Sequence, residues 1–213
     1  MKKQLIVIVA AALSLAACQS TRPVDREAAR ALTQRGYQRH AQGDFDGARA
    51  DYDRAIGIDP FNSVTWNNRG CLNIRERRLQ AAIADITRAI ELRDSDPHFH
   101  NNLGVALQLK GDLDASILSY DRAIMLDSTA ANFYSNRGFV LHQRGDLEAA
   151  LRDLNRAVDL RPGYTKAYYQ RAHVRSQLGD KQGAEADFDR YAKLVVNEEG
   201  GVEPDNAPTI VAK

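Results

Sequence analysis

A primary amide recurs at one spacing through most of the chain: Gln34, Asn68, Asn102, Asn136 and Gln170 stand 34 residues apart. A carboxamide carries both a donor and an acceptor, so a column of them can match the N–H and C=O groups of an extended backbone whatever its side chains. The same groups can instead hydrogen-bond neighbouring helices and tie the chain to itself, as half-buried amides do. Asparagine is a mediocre helix former, so amides in one helical column need one of these two reasons.

A charged column runs beside it. Arg35, Arg69, Arg137 and Arg171 keep the same spacing, with Leu103 in the third place, and Asp51, Asp85, Asp153 and Asp187 do likewise, with Ser119 in the third place. Arginine and aspartate are present together or absent together. That pattern predicts bidentate structural ion pairs, each arginine crossing to the aspartate of its own copy, rather than a basic binding strip. A further column, Arg54, Arg88, Arg122, Arg156 and Arg190, has Asp53, Asp121 and Asp189 beside it and reads as a solvated face with local ion pairs.

Other reactive residue types do not assemble a site. Cys71 has no histidine within reach by sequence logic, since His40 and His142 fall in distant copies, so it reads as a small groove-lining residue rather than a nucleophile. His98 and His100 are two apart, roughly 200° around a helix, and cannot grip a metal as an i, i+4 pair would. No metal, no cofactor and no catalytic residue is expected, and the short segments outside the repeats leave no room for an enzyme core.

The elements that position these columns follow from the period. Gly36, Gly70, Gly104, Gly138 and Ala172 form a small-residue column; Ala48, Ala82, Ser116, Ala150 and Ala184 form another. Tyr52, Ile86, Tyr120, Leu154 and Phe188 supply a bulky one, and Ala55, Ala89, Ala123, Ala157 and Tyr191 a fourth. Small residues let two helices approach closely, and the bulky column fills the space between them. Gly43-Asp44, Gly111-Asp112, Gly145-Asp146 and Gly179-Asp180 supply left-handed C-caps, and Pro60 and Pro162 end two helices. The second copy has Arg77-Arg78 instead, where a left-handed arginine would cost about 1 kcal/mol or more. That turn is expected to be rearranged.

Period, small columns and aromatic column together resemble the tetratricopeptide repeat, a helix-turn-helix unit. The resemblance implies an all-α fold, a right-handed superhelix of five repeats at 29–62, 63–96, 97–130, 131–164 and 165–198, with the first helix of each hairpin lining a concave groove. The amide column is similar to the asparagine ladder in the repeat region of the O-linked N-acetylglucosamine transferase, where such amides hold peptide main chain. That places Gln34, Asn68, Asn102, Asn136 and Gln170 on the groove wall. Tyr37, Asn67, Cys71, Asn101, Phe139, Tyr169 and His173 are expected to line it with them. The wall carries little charge and departs from the carboxylate-clamp repeats, so an extended segment with small or aromatic side chains is the expected ligand. The extra C-terminal helix usual in the family is not expected, and Tyr191 reads as a partial cap.

The opening "MKKQLIVIVAAALSLAACQS" has the charged start, the apolar run from Leu5 to Leu15 and the small residues of a signal peptide. Its apolar stretch is shorter than the roughly 20 residues that span a bilayer. Leu15-Ala16-Ala17-Cys18 resembles a bacterial lipobox, which implies cleavage of residues 1–17 and acylation, palmitate included, of Cys18. Gln19 after it resembles an outer-membrane address, on the periplasmic face. Residues 18–28 are then a lipidated cysteine and short tether, of which about seven residues precede the first helix and reach roughly 25 Å. Residues 199–213, rich in Gly, Pro and polar types, are expected to be a disordered tail. Without Lys2 and Lys3 the chain has 27 basic and 28 acidic side chains, which gives no electrostatic reason to expect nucleic acid. Cys71 would remain alone, so no disulfide framework is expected.

The function implied is a non-catalytic, lipid-anchored periplasmic scaffold that binds a protein segment in its groove and organises an envelope complex. It resembles adaptors for peptidoglycan hydrolases and proteases on one side, and pilus or secretion pilotins on the other. The alternative is a self-associating structural lipoprotein, a homodimer for instance, whose groove or uncapped end takes its own tail or a second subunit.

Overall fold

The computed structural model describes residues 25–197. These residues form ten α-helices and no strand: α1 Arg26–Gln42, α2 Phe45–Ile58, α3 Ser63–Arg75, α4 Leu79–Leu92, α5 Pro97–Lys110, α6 Leu113–Leu126, α7 Ala131–Arg144, α8 Leu147–Leu160, α9 Thr165–Gln177 and α10 Lys181–Asn197. Odd-numbered helices are the first (A) and even-numbered the second (B) of each hairpin. The B helices start at 45, 79, 113, 147 and 181, so the sequence period passes into the structure without slippage. Helix α1 starts at Arg26, about seven residues past Cys18 as expected, and residues 26–28 form its first turn. The signal segment, Cys18 and the tail 199–213 lie outside the described residues.

Several helices are bounded by local chemistry. Asp25 accepts from the Ala28 amide and Asp44 from the Gly47 amide, each at 2.9 Å, and Asn62 accepts from the Val64 amide at 3.1 Å. These side chains satisfy N–H groups that a helix start leaves without partners. Pro97 opens α5, where its missing N–H costs nothing.

At the other ends the chain turns through the left-handed region, at Gly43, Gly111, Gly145 and Gly179. The second hairpin does the same with a side chain present: Arg77 has φ 61°. Its turn is not rearranged. Arg77 N–H donates to Ile74 at 3.0 Å and Arg78 N–H to Asn73 at 2.9 Å, matching the glycine turn in which Gly43 donates to His40 and Asp44 to Arg39. Glu76 beside it is held by the guanidinium groups of Arg49 and Arg78. Neighbouring contacts thus keep the closure against local strain.

Within a hairpin the two helices touch where the small column faces the bulky one. A Cβ built on Gly104 would lie 2.6 Å from Tyr120 Cε1, so the position admits only glycine at this separation. Ala48, Ala82 and Ala150 are fully buried on the facing helices, as are Tyr52, Ile86, Tyr120 and Leu154. Between hairpins, each B helix meets the next A helix and each A helix meets the next A helix, while B helices do not meet each other. The stack is therefore tighter on its A side, and among the described residues no hairpin reaches beyond its neighbour. This is an all-α tetratricopeptide-like solenoid whose core runs as small linked clusters rather than one centre.

Candidate interaction surface

The A helices bury the amide column. Asn68 and Asn102 are fully buried, and Asn136 and Gln170 are within a few per cent of it, whereas Gln34 on α1 is exposed. The residue just before each of the first four amides is also buried: Thr33, Asn67, Asn101 and Ser135. These two rows meet across the joints between repeats. Asn102 Nδ2 donates to Asn67 Oδ1 at 2.9 Å, and Asn136 Nδ2 to Asn101 Oδ1 at 3.0 Å. At the last joint the polarity reverses, with Ser135 Oγ donating to Gln170 Oε1 at 2.6 Å. Thr33 and Thr65 hydroxyls meet at 2.7 Å at the first joint. Asn102 Nδ2 also lies 3.3 Å from Cys71 Sγ, and Lys166 Nζ lies 3.3 Å from Asn136 Oδ1.

The geometry is that of ties between helices. Buried amides need partners, and these have one another. A ligand above the A helices meets Gln34 but not Asn68 or Asn102. The groove expected from spacing therefore does not open along the column, because α3, α5 and α7 approach closely enough to close over it. Asn67, Asn101 and Cys71 are closed in with it.

Cys71 is fully buried, and burial pushes its thiol well above the ordinary cysteine range. It is a packing residue in the neutral form. His100 donates its Nε2–H to the Asp94 carbonyl, 2.8 Å away, and His98 lies edge-on to Phe133 with ring centroids 5.7 Å apart. Among the described residues no three metal-ligating side chains come together.

The charged column forms a larger unit than its spacing suggests. Arg69 places Nε and Nη2 on Asp85 at 2.9 and 2.7 Å, and Arg137 and Arg171 reach Asp153 and Asp187 the same way, both bonds at 2.7 Å in the first case and at 2.8 and 2.6 Å in the second. Arg35 holds Asp51 at 2.8 and 2.5 Å. The third guanidinium nitrogen then crosses to the preceding repeat: Arg69 Nη1 to Asp53 at 2.8 Å, Arg137 Nη1 to Asp121 at 2.6 Å, Arg171 Nη1 to Asn155 at 2.9 Å. Asp53 and Asp121, read from sequence as part of a solvated face, are thus partners in the joints. Asp53 stands two residues past Asp51 and Asp121 two past Ser119, and each faces outward only until the next repeat arrives.

An aromatic ring completes the unit. Trp66 Nε1 donates to the Pro60 carbonyl at 2.9 Å, Tyr134 to Ser128 at 3.3 Å and Tyr168 to Pro162 at 3.2 Å, each six residues back. The guanidinium of Arg69 then lies 4.8 Å over Trp66, that of Arg171 5.3 Å over Tyr168. In the third repeat the charged part is missing, with Leu103, Ser119 and, in the preceding repeat, Thr87 replacing arginine and both acceptors, while the ring persists as His100, which meets the Asp94 carbonyl six residues back. The aromatic part could have been found by asking which residue recurs one turn before each arginine.

Four residues expected in the groove remain accessible. Tyr37 and Phe139 are half-buried on α1 and α7, and Tyr169 and His173 are exposed on α9. Tyr169 packs on His173 at 4.6 Å and on Tyr191 at 5.2 Å, and Phe188 joins them, so this group covers the C-terminal hairpin.

An accessible concavity lies at the first joint. Arg26, Arg30, Thr33 and Gln34 of α1, Asp59, Phe61 and Asn62 of the turn between α2 and α3, Val64 of α3 and Arg93 after α4 line an open cavity of about 600 Å³. Phe61 is 68% exposed. Arg93 pairs with Asp96 at 2.7 Å, while Arg26 and Arg30 have no carboxylate partner among the described residues. The sequence reading, restricted to A-helix columns, gave a wall with little charge. Arg93 comes from a connection and Arg26 from the first turn of α1, and together with Arg30 they make this end basic.

The description "TPR repeat" fits residues 109–145 and 140–179, and two further models described as "Tetratricopeptide repeat" fit 10–63 and, in the other case, 64–96 and 165–194. No curated protein sequence matches the chain. Among solved structures, the chain is similar to MamA, with 23% identity and TM-score 0.69 over 76% of this chain and 95% of that one. It is similar to PilW, a type IV pilus biogenesis factor, with 20% identity and TM-score 0.74 over 84% of this chain and 80% of that one. It is also similar to YrrB, a repeat protein with an unusual peptide-binding site, with 16% identity and TM-score 0.63 over 78% and 86%. Likeness at these identities is likeness of fold.

Proposed function

The chain belongs to the tetratricopeptide-repeat family, and from that premise we propose that it is a lipid-anchored scaffold at the periplasmic face of the outer membrane, which holds an extended protein segment and organises an envelope complex. The observation that carries the reading is the open cavity between the first two hairpins, with guanidinium groups, one accessible amide and an exposed aromatic ring around a space large enough for several side chains. A segment fits it by setting a carboxylate between Arg26 and Arg30, an apolar side chain on Phe61, and a backbone amide on Gln34. The ladder expected along five positions is proposed here for Gln34 alone. Specificity comes from Phe61 and Val64, and Tyr37 and Phe139 extend the surface along the A helices.

Anchoring rests on Cys18 and the segment before it. The complex served is either a peptidoglycan hydrolase or protease held near its substrate, or a pilus or secretion channel under assembly. The test is a photo-crosslinking side chain at position 61, with position 156 on an outward face as control, in cells that produce the full chain. A polypeptide adduct from position 61 and none from 156 is expected, and its identity chooses between the two complexes. Equal adducts from both positions, or none from 61, would remove the reading. Cys18→Ser should move the chain from the membrane fraction to the soluble one.

A further inference from the structure

The joints of the solenoid draw on three recurring positions, and both ends of the described stack carry those positions unmet. At three of the four interior joints the outer nitrogen of an arginine on A takes an acceptor on the preceding B helix, as Arg137 takes Asp121 and Arg69 takes Asp53. At the N-terminal end Arg35 occupies this place: Nε and Nη2 hold Asp51, and Nη1 has no acceptor among the described residues. Its side chain is 48% exposed, against 21% and 22% for Arg69 and Arg137. At the C-terminal end Asp189 is the residue that corresponds to Asp53 and Asp121, and it is exposed with no cationic partner among the described residues.

The amide row ends in the same way. Asn102, Asn136 and Gln170 each meet the residue one place earlier in the preceding repeat, as Gln170 meets Ser135. Gln34 is the exposed amide at one end, and Tyr169, the corresponding earlier residue at the other, is 45% exposed and carries a hydroxyl. A third position concerns volume. At two interior joints a large residue on A sits over a small one on the preceding B helix, as Phe99 sits with Ala89, while at the other two the A residue is Thr65 or Ala167. At the ends Ala31 on α1 is the small partner and Tyr191 on α10 the large one. A tyrosine on the B side against an alanine on the A side keeps a contact volume like that of Phe99 on Ala89, with its direction reversed.

We propose that the C-terminal hairpin of one copy docks on the N-terminal hairpin of a second copy, so that chains join head to tail and the solenoid continues across the contact. The joint sets Asp189 on Arg35, Tyr169 on Gln34 and Tyr191 on Ala31, and because Gln34 also lines the cavity, a docked copy and a bound segment exclude each other at that side chain. It covers the aromatic group of Tyr169, Phe188 and Tyr191. The contact is heterologous, so it propagates into longer assemblies instead of closing as a two-fold dimer.

The test uses the full chain in detergent, with Ala31→Cys and Tyr191→Cys made separately and the unaltered chain as control for Cys18 and Cys71. Under mild oxidation a mixture of the two variants should give a cross-linked dimer, while each alone stays monomeric on a non-reducing gel. Sedimentation equilibrium should show concentration-dependent association of the unaltered chain, weakened at least tenfold by Asp189→Arg with the melting temperature unchanged. Cross-linking by Tyr191→Cys alone would mean a tail-to-tail contact and overturn the proposal. So would a chain that remains monomeric at every concentration, including one that associates only after residues 200–213 are deleted, since the tail would then be the occupant of that face.

Discussion

Asn102 reaches back 35 residues to donate its side-chain N–H to Asn67 Oδ1, 2.9 Å away, with both residues buried. A pair of polar side chains is therefore part of the joint between the second and third hairpins. Replacing Asn102 by alanine leaves the Asn67 acceptor buried without this donor, a loss of about 1–3 kcal/mol. Urea unfolding followed by circular dichroism measures it. A change within a few tenths of a kcal/mol would mean that the amide does not tie the repeats.

Arg137 joins Asp153 in its own repeat to Asp121 in the one before. Arg137→Ala strands the buried Asp153 carboxylate and should cost about 3 kcal/mol, the low end for breaking a buried pair by removing one partner. The third repeat holds Leu103 and Ser119 at the equivalent places, so the double change Arg137→Leu with Asp153→Ser copies an arrangement that the fold already accepts. Its loss should be less than half that of Arg137→Ala. Equal losses would mean that packing around the arginine, and not its charge pairing, sets the effect.

Arg77 sits at φ 61° where the other turns have glycine. Arg77→Gly removes a left-handed side chain and should raise stability by about 1 kcal/mol, read as a higher denaturation midpoint with unchanged slope. No gain, with Arg49 and Arg78 still on Glu76, would show that Arg77 makes a compensating contact in solution.

His40 is buried with its ring edge-on to Phe45, 5.7 Å between centroids. Burial first, and then the Arg75 guanidinium, hold its pKa down to about 4 from 6.5, with Glu76 acting in the opposite sense. The unfolded chain takes up a proton on this imidazole near 6.5 and the folded chain only near 4, so stability is lost as pH falls through that window. Asp51 is held below the ordinary carboxylate range, chiefly by its hydrogen bond from Arg35, and adds a further loss only at more acid pH. His40→Leu should flatten the fall in melting temperature between pH 6.5 and 4.5. A wild-type fall of unchanged size in that variant would place the effect elsewhere.

Much of the fold is legible in the sequence because a hairpin is a local object. Its period, its glycine turns and its small-against-bulky contacts lie within 34 residues, and so does the arginine-aspartate pairing read from Leu103 and Ser119. What spacing alone leaves open is the relation between one repeat and the next. Asn67 and Asn102 belong to different columns, so each column read by itself suggests a row of exposed amides. The signal was an offset one: Asn67 with Asn102, and Asn101 with Asn136, are amide pairs one repeat apart. The basic cavity was hidden for another reason. Arg93 and Phe61 sit in connections, where periodicity carries no information about which residues converge.

The central claim is a division of labour: buried amides hold the solenoid together, and partner binding falls on the exposed cavity at the first joint. The direct measurement captures the crosslinked envelope partner with three forms of the full chain while recording each melting temperature. The double variant Phe61→Ala with Arg30→Glu should lose capture at least tenfold and melt like the wild type, and Asn102→Ala should melt lower yet capture normally while folded. Full capture by the cavity variant, with capture lost in a folded Asn102→Ala chain, would contradict the account.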